Sequence, residues 1–143
     1  MFVIQIRYLS FFFGIISILS FFNLIYSYYL NLYLNLNTYY LSLIVSLIIS
    51  ILFFKLKISE KKLSIYSKIL TILVGYILIP LILSIPLYFS IYNLTFINSY
   101  FEAISGFTST GFTIFENIKN IDQSLILWRS STQWIGGLYF LFS

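Results

Sequence analysis

The sequence contains no cysteine and no histidine, and it has only four acidic residues. Disulfides, thiolate chemistry, histidine-ligated haem and the usual zinc sites are therefore excluded. A nucleophile–base pair for hydrolysis cannot be assembled, and carboxylate-only catalysis is poorly supplied, so a membrane-embedded hydrolase ranks last and no enzyme is expected. Charge is scarce as well. Charged residues make up 8% of the 143 positions, whereas soluble domains carry roughly 25%. So few charges cannot cover a soluble surface, and the chain reads as an integral membrane protein. Alanine is rarer still, with Ala103 the single one. Arg7 and the apolar run behind it fit the first two regions of a signal peptide, but no A-x-A-like cleavage site follows, so a retained span is expected.

Apolar residues supply 60% of the chain, with a mean hydropathy of +0.98. The net charge of +4 raises nucleic acid as a partner, but the placement of the charges argues against it. Arg7, Lys55, Lys57, Lys61, Lys62 and Lys68 all flank hydrophobic stretches, as the positive-inside rule describes. No charge occurs between Tyr8 and Phe54. As one helix this run would reach about 70 Å, over twice the hydrocarbon core of roughly 30 Å. It must turn, and the polar break Asn31–Asn37 is the place. Spans are expected at about 9–29 and 39–56. Tyr26, Tyr28, Tyr29, Tyr33, Tyr39 and Tyr40 gather around the break like an interfacial belt. The lysine-rich segment 55–68 reads as a cytoplasmic loop, which places the N-terminus in the cytoplasm and the first turn outside.

A third span is expected at 65–88. It carries both prolines, Pro80 and Pro86, so a kink near its outer end is expected, with Ser84 and Ser90 helping to satisfy the freed backbone. Asn93-Leu94-Thr95 has the form of a glycosylation acceptor, which matters only in a secretory-pathway host.

Ser105–Thr113, SGFTSTGFT, is the one place where small hydroxyl residues and two glycines crowd together. Such a cluster is usually a turn between helices. Its flanks argue for more. Ser99 and Glu102 have the spacing of a capping box, predicting a short helix over 99–107 that Gly106 helps to stop. That helix of about 15 Å crosses half the core. Glu116, Lys119 and Asp122 then require water, and the next apolar stretch begins near Leu125. The chain thus enters, goes half-way and returns. Irregular backbone at that depth is tolerated only inside protein or along a watery cavity, and successive carbonyls there can replace the hydration shell of a cation. Thr108, Ser109, Thr110 and Gly111 are the candidate ion-binding residues of a filter at 108–112. Gly111 provides the unusual φ, and the negative end of the short helix points at the loop.

The segment FEAISGFTSTGFT, followed by IDQSLILWRSSTQWIGGLYF, resembles the first pore repeat of the Trk-type potassium uptake transporters, within the Trk/Ktr/HKT superfamily. The pattern F-E-A-x-S-G-F-T-T-T-G-x-T is matched at Phe101, Glu102, Ala103, Ser105, Gly106, Phe107, Thr108, Thr110, Gly111 and Thr113. Ile121, Asp122 and Leu125 match, as does W-R-x-x-x-Q-W-x-G-G at Trp128, Arg129, Gln133, Trp134, Gly136 and Gly137. Ser109 replaces a common threonine, and Ile126 stands where a proline is usual. The resemblance is specific over about 85–140. It implies four helix–pore loop–helix repeats around one pore, of which this chain holds one. It further implies potassium as the transported ion, a homodimer in the inner membrane and a cytoplasmic nucleotide-binding regulatory subunit.

The expected fold is therefore an all-α membrane protein. Residues 1–64 form an N-terminal helix pair with its cytoplasmic loop, and 65–143 a first pore module whose second helix, 125–143, is incomplete. The expected function is potassium uptake, with no cofactor besides the transported ion. The alternative is a small structural or accessory membrane protein, or a non-functional fragment, without its own ion pathway. Supporting roles around the filter fall to Glu102, Gly106, Phe107, Phe112, Thr113, Arg129, Gly136 and Gly137. For Glu102 and Arg129 two readings are open: an ion pair locking the pore helix to the next helix, or a helix cap and an interfacial cation. Gly136-Gly137 is expected to admit a neighbouring helix, with a gating hinge as the second option. Trp128 and Trp134 read as packing and interface residues. Phe107 and Phe112 read as wedges for the loop. The serines at 10, 17, 20, 42, 46 and 50 are candidates for bonds between helices.

Overall fold

The structure, a computed structural model, describes residues 6–56 and 65–143, apart from the side chain of Lys119. The lysine-rich segment expected as a cytoplasmic loop lies mostly outside these residues. All regular structure described is helical: α1 (Ile6–Tyr29), α2 (Leu36–Lys55), α3 (Ile65–Leu83), α4 (Ile85–Tyr88), α5 (Phe96–Phe107), a 3-10 turn at Ile118–Asn120, and α6 (Gln123–Phe142). Three stretches, Ile6–Tyr29, Leu36–Lys55 and Ile65–Tyr88, are long and apolar enough to cross a membrane.

α1 and α2 form the most extensive helix pair. Their shared face inverts the pattern of a soluble protein. α2 buries Thr38, Tyr39, Ser42 and Ser46 and turns Leu41, Ile44, Leu47, Ile48 and Leu52 outward. Apolar side chains need no protein partner in lipid, whereas hydroxyls do. Ser10 and Ser50 satisfy each other's backbone, Oγ to carbonyl, at 2.8 and 2.9 Å. Ser20 Oγ donates to Ser42 Oγ at 3.1 Å. Ser46 instead bonds back to Leu43 on its own helix. The turn between the helices contains Asn31 at φ 56°, a conformation that asparagine tolerates better than most residues.

The third stretch is interrupted at Ser84, where α3 gives way to α4 just before Pro86. Proline has no N–H, so each one frees a carbonyl a turn earlier. The freed region is covered from several sides. Ser84 Oγ donates to the Leu81 carbonyl at 2.8 Å, and Ser90 Oγ to that of Leu87 at 2.6 Å. Trp128 Nε1 on α6 donates to the Leu83 carbonyl at 3.0 Å. Near Pro80, Tyr100 Oη on α5 donates to the Ile77 carbonyl at 3.1 Å.

α6 is a continuous helix that runs antiparallel to α3. Trp128 sits opposite Leu83 near one end, and Tyr139 Oη reaches the Ile72 carbonyl at 3.0 Å near the other. The approach is close at Gly75, where a Cβ would overlap the Tyr139 hydroxyl. Tyr139 also stacks edge-on with Phe12 and Tyr76, which brings α1, α3 and α6 to one core.

A polar knot joins the α1–α2 turn to the start of α6. Asp122 caps α6, with its Oδ1 accepting from the Ser124 amide at 3.2 Å. Asn35 Nδ2 donates to Asp122 Oδ2 at 2.8 Å, while Asn35 Oδ1 accepts from the Ile91 amide at 3.1 Å. The Asp122 amide donates to Tyr92 Oη at 2.7 Å. Deeper in, Tyr39 Oη and Ser124 Oγ share a bond of 2.8 Å, and Asn23 Nδ2 donates to the Ser124 carbonyl at 3.3 Å.

Candidate functional site

The site is built on α5. The helix begins at Phe96, earlier than the capping-box spacing of Ser99 and Glu102 predicts. Thr95, in extended conformation, is the N-cap and accepts from the Asn98 amide at 3.3 Å. Ser99 lies inside the helix and donates to the Thr95 carbonyl at 3.0 Å. Glu102 is thereby freed from capping. Gly106 does not stop the helix either. It lies within α5, and a Cβ there would overlap Thr132 Oγ1 of α6, so its role is close packing.

The helix ends after Phe107 through paired backbone bonds. The Ser109 amide donates to Gly106 at 2.9 Å and the Thr110 amide to Ser105 at 3.1 Å. This is the Schellman arrangement, in which the residue just past the helix turns left-handed. Here that residue is Ser109, at φ 56°. Gly111 follows at φ 79°, with open space where its Cβ would be, so conformation rather than room calls for glycine.

The chain then reverses and runs back beside α5. Ser105 Oγ donates to the Phe112 carbonyl at 2.6 Å. Glu102 Oε1 accepts from Thr113 Oγ1 at 2.7 Å and from the Ile114 amide. Thr108 Oγ1 and Thr110 Oγ1 lie 3.3 Å apart, and Thr110 Oγ1 donates to the Ser105 carbonyl at 3.2 Å. The amides of Ser109, Thr110 and Gly111 all point at α5 carbonyls. Among the described residues, the carbonyls of Thr108, Ser109, Thr110 and Gly111 accept no hydrogen bond. The loop is fastened through its donors and side chains, and its four successive carbonyls are left open. The C-terminal, partly negative end of α5 faces this loop.

Glu102 is the central fastening. It is 2% exposed, and its Oε2 lies 2.8 Å from Nη2 of Arg129 on α6. The guanidinium also sits over the Phe115 ring, 5.6 Å from its centre. One buried carboxylate thus ties α5, the returning segment and α6 together. The alternative of a helix cap and a separate interfacial cation does not describe this geometry.

α5 and α6 meet most closely at the tip of the reversal. A Cβ on Gly136 would overlap the Phe107 carbonyl, whereas one on Gly137 would meet nothing within 4 Å. Only the first glycine admits its neighbour. The second opens a hollow of about 350 Å³ shared with Tyr76, Thr108, Ser109 and Phe140. On the other side of the loop, Gly111, Phe112, Arg129 and Gln133 border a hollow of about 210 Å³. α6 runs unbroken through Gly136-Gly137.

The two phenylalanines differ. Phe107 is buried against Tyr76 and Tyr139. Phe112 is 70% exposed and wedges nothing among the described residues, because its backbone, not its ring, is what Ser105 holds. Trp128 is fully buried, while Trp134 faces outward.

The reversal has a measurable depth. Gly136, opposite the end of α5, lies about 20 Å along α6 from Gln123, and Arg129, opposite Glu102, lies about 9 Å along it. The loop therefore reaches well along α6 before turning back. Among the described residues no group of three or more His, Cys, Asp or Glu could hold a metal ion.

Sequence reasoning missed the Asn35–Asp122 contact and the burial of Asn23. Asn35 reads locally as one of three turn asparagines, and nothing near it in sequence singles it out. Asn23 carried a signal, since it is the lone amide within an otherwise apolar span.

Comparison with known proteins gives a consistent picture. The family model for TrkH, cation transport protein, matches residues 35–142. An uncharacterized cation transporter of Methanocaldococcus jannaschii is 34% identical over 127 residues, covering 87% of this chain and 27% of that protein. The Trk system potassium uptake protein TrkG of Escherichia coli K12 is 38% identical over 68 residues, 47% of this chain and 14% of TrkG. The corresponding TrkI protein of Halomonas elongata is 40% identical over 55 residues, 38% of this chain and 11% of TrkI. The chain thus spans about a quarter or less of the length of these relatives. No solved structure is significantly similar to it.

Proposed function

This chain belongs to the TrkH family of cation transport proteins, a family of membrane transporters and not of enzymes, and from that premise we propose that it supplies one wall of a potassium-uptake pathway. The ion binds the backbone carbonyls of Thr108, Ser109, Thr110 and Gly111. The observation that carries this reading is that, among the described residues, these four carbonyls stand in succession without hydrogen bonds, on a loop whose amides at 109–111 and threonine hydroxyls are already engaged. Carbonyl oxygens so presented substitute for water around a dehydrated cation.

The loop is re-entrant: α5 and the returning segment enter and leave on one side of the membrane. Backbone of this kind at membrane depth must line an aqueous path or be covered by protein, and the exposed face of Thr108–Gly111 fits the first condition. Three further loops of the same kind complete the ring. The chain lies in the inner membrane with its N-terminus in the cytoplasm, since Arg7, Lys55 and Lys68 lie at one end of the long helices. A homodimer and a cytoplasmic nucleotide-binding regulatory subunit complete the assembly. The uptake systems named for TrkG and TrkI support potassium as the ion.

The test is a graft. Residues of this chain replace the matching segment of E. coli TrkG, and the chimera is expressed in a host that cannot grow on limiting potassium. Growth is expected to be rescued, and Gly111→Ser is expected to abolish rescue or admit sodium, because serine resists a φ of 79°. Unchanged uptake and selectivity in Gly111→Ser would mean that the filter lies elsewhere.

A further inference from the structure

Away from the ion path, α1 and α2 enclose a groove of about 500 Å³. Its walls are Phe11, Ile18, Ile51 and Phe54, and Arg7 and Lys55 stand at one end. The reciprocal Ser10–Ser50 bonds fix the antiparallel register, which brings the first turn of α1 beside the last turn of α2. Both basic residues are exposed, and among the described residues neither has an acidic partner. Gly14 lets α2 approach closely, since a Cβ there would lie 3.3 Å from the Ser50 hydroxyl.

Two features identify the occupant. Charge is confined to one end, and beyond it the lining is apolar apart from Ser10 and Ser50, whose hydroxyls are already bonded to each other's backbone. From Arg7 to Ile18 the groove follows α1 for about 16 Å, which is close to one leaflet of a hydrocarbon core of roughly 30 Å. An apolar chain lying along the groove would therefore bring its headgroup to Arg7 and Lys55. Phe11, Ile18 and Phe54 are each more than half exposed in the chain, so a lipid can enter from the side.

We infer that this groove is a specific site for an anionic phospholipid, with an acyl chain between Phe11, Ile18, Ile51 and Phe54 and the phosphate between Arg7 and Lys55. Basic residues between membrane helices at the cytoplasmic surface are suited to such headgroups. The site does not depend on ion conduction.

The chain is purified in a mild detergent and titrated with phosphatidylglycerol or phosphatidylcholine of identical acyl chains, with binding read by native mass spectrometry. Phosphatidylglycerol is expected to bind at roughly thirtyfold lower concentration, in keeping with about 1 kcal/mol for each of the two basic residues. The double variant Arg7→Gln/Lys55→Gln should erase the preference, and both positions are exposed, so the fold should persist. Ile18→Trp should weaken both lipids alike, and Lys68→Gln, outside the groove, should leave the preference intact. Equal binding of the two lipids by the parent chain, or a preference that survives Arg7→Gln/Lys55→Gln, overturns the site. A dimer that excludes lipid overturns it too, by showing that a second copy fills the groove.

Discussion

Glu102 and Arg129 meet at 2.8 Å across α5 and α6, and the same carboxylate holds Thr113 and the Ile114 amide of the returning loop. The pair thus acts on the loop as well as on the helices. Removing one member leaves the other charge buried without a counter-ion, at a cost of about 3 kcal/mol or more. Glu102→Gln and Arg129→Gln should each lower the thermal unfolding midpoint in detergent sharply, and the double variant should lose less than the sum. Additive losses would show that the two charges act independently.

Gly136 and Gly137 should respond in opposite ways. A methyl group at Gly136 strikes the Phe107 backbone, which cannot rotate away, so Gly136→Ala should cost about 1–3 kcal/mol through overpacking. Gly137 faces open space, and Gly137→Ala should be neutral or stabilising by up to about 1 kcal/mol through helix propensity. Thermal unfolding of the two variants side by side decides the matter. In the grafted transporter, Gly137→Ala should nonetheless alter uptake if the hollow beside Thr108 and Ser109 conducts ions.

Ser109 occupies a left-handed position that glycine fills most readily. Ser109→Gly should relieve about 1 kcal/mol of backbone strain and raise the unfolding midpoint, while leaving the Gly106 and Ser105 carbonyls engaged. A fall in stability would indicate that the serine side chain contributes more than the backbone loses.

Trp128→Phe keeps most of a fully buried ring but removes the donor to the Leu83 carbonyl at the α3–α4 break. The expected loss is about 1 kcal/mol, the ordinary value for such a bond. Trp128→Leu should lose clearly more, because ring volume goes as well. Equal losses for the two would show that the shared loss of the indole N–H, not ring volume, sets the cost, and no loss in Trp128→Phe would show that the N–H is irrelevant to the break.

Much of the fold could be read before any coordinates. The uncharged run to Phe54 had to turn, and it turns beside Asn31 and Asn35. Pro86 had to disturb its helix, and the helix breaks at Ser84 with serine hydroxyls nearby. The start of α5 was misplaced because two features competed locally: Ser99 and Glu102 have capping spacing, but Thr95 caps first and the burial of Glu102 calls it to Arg129. Gly106 looked like a stop because glycine often is one. It is a packing residue, since Thr132 approaches from a helix that lies far along the chain.

Sequence alone determined that this chain lives in a membrane, how many long apolar stretches it has, and where its small, hydroxyl-rich loop must fall. Those are consequences of composition and spacing, which act locally. Tertiary structure alone decided which polar groups meet. Asn35 finds Asp122, Trp128 finds the Leu83 carbonyl, and Glu102 finds both Arg129 and the returning loop. In an apolar medium each buried donor or carboxylate must be matched by a partner, and which partner is available depends on how the helices pack. The opening of four carbonyls at Thr108–Gly111 is different in kind. It follows from amides and threonine hydroxyls turning back onto Ile104, Ser105 and Gly106 a few residues away, a local arrangement that the hydroxyl- and glycine-rich spacing already marked.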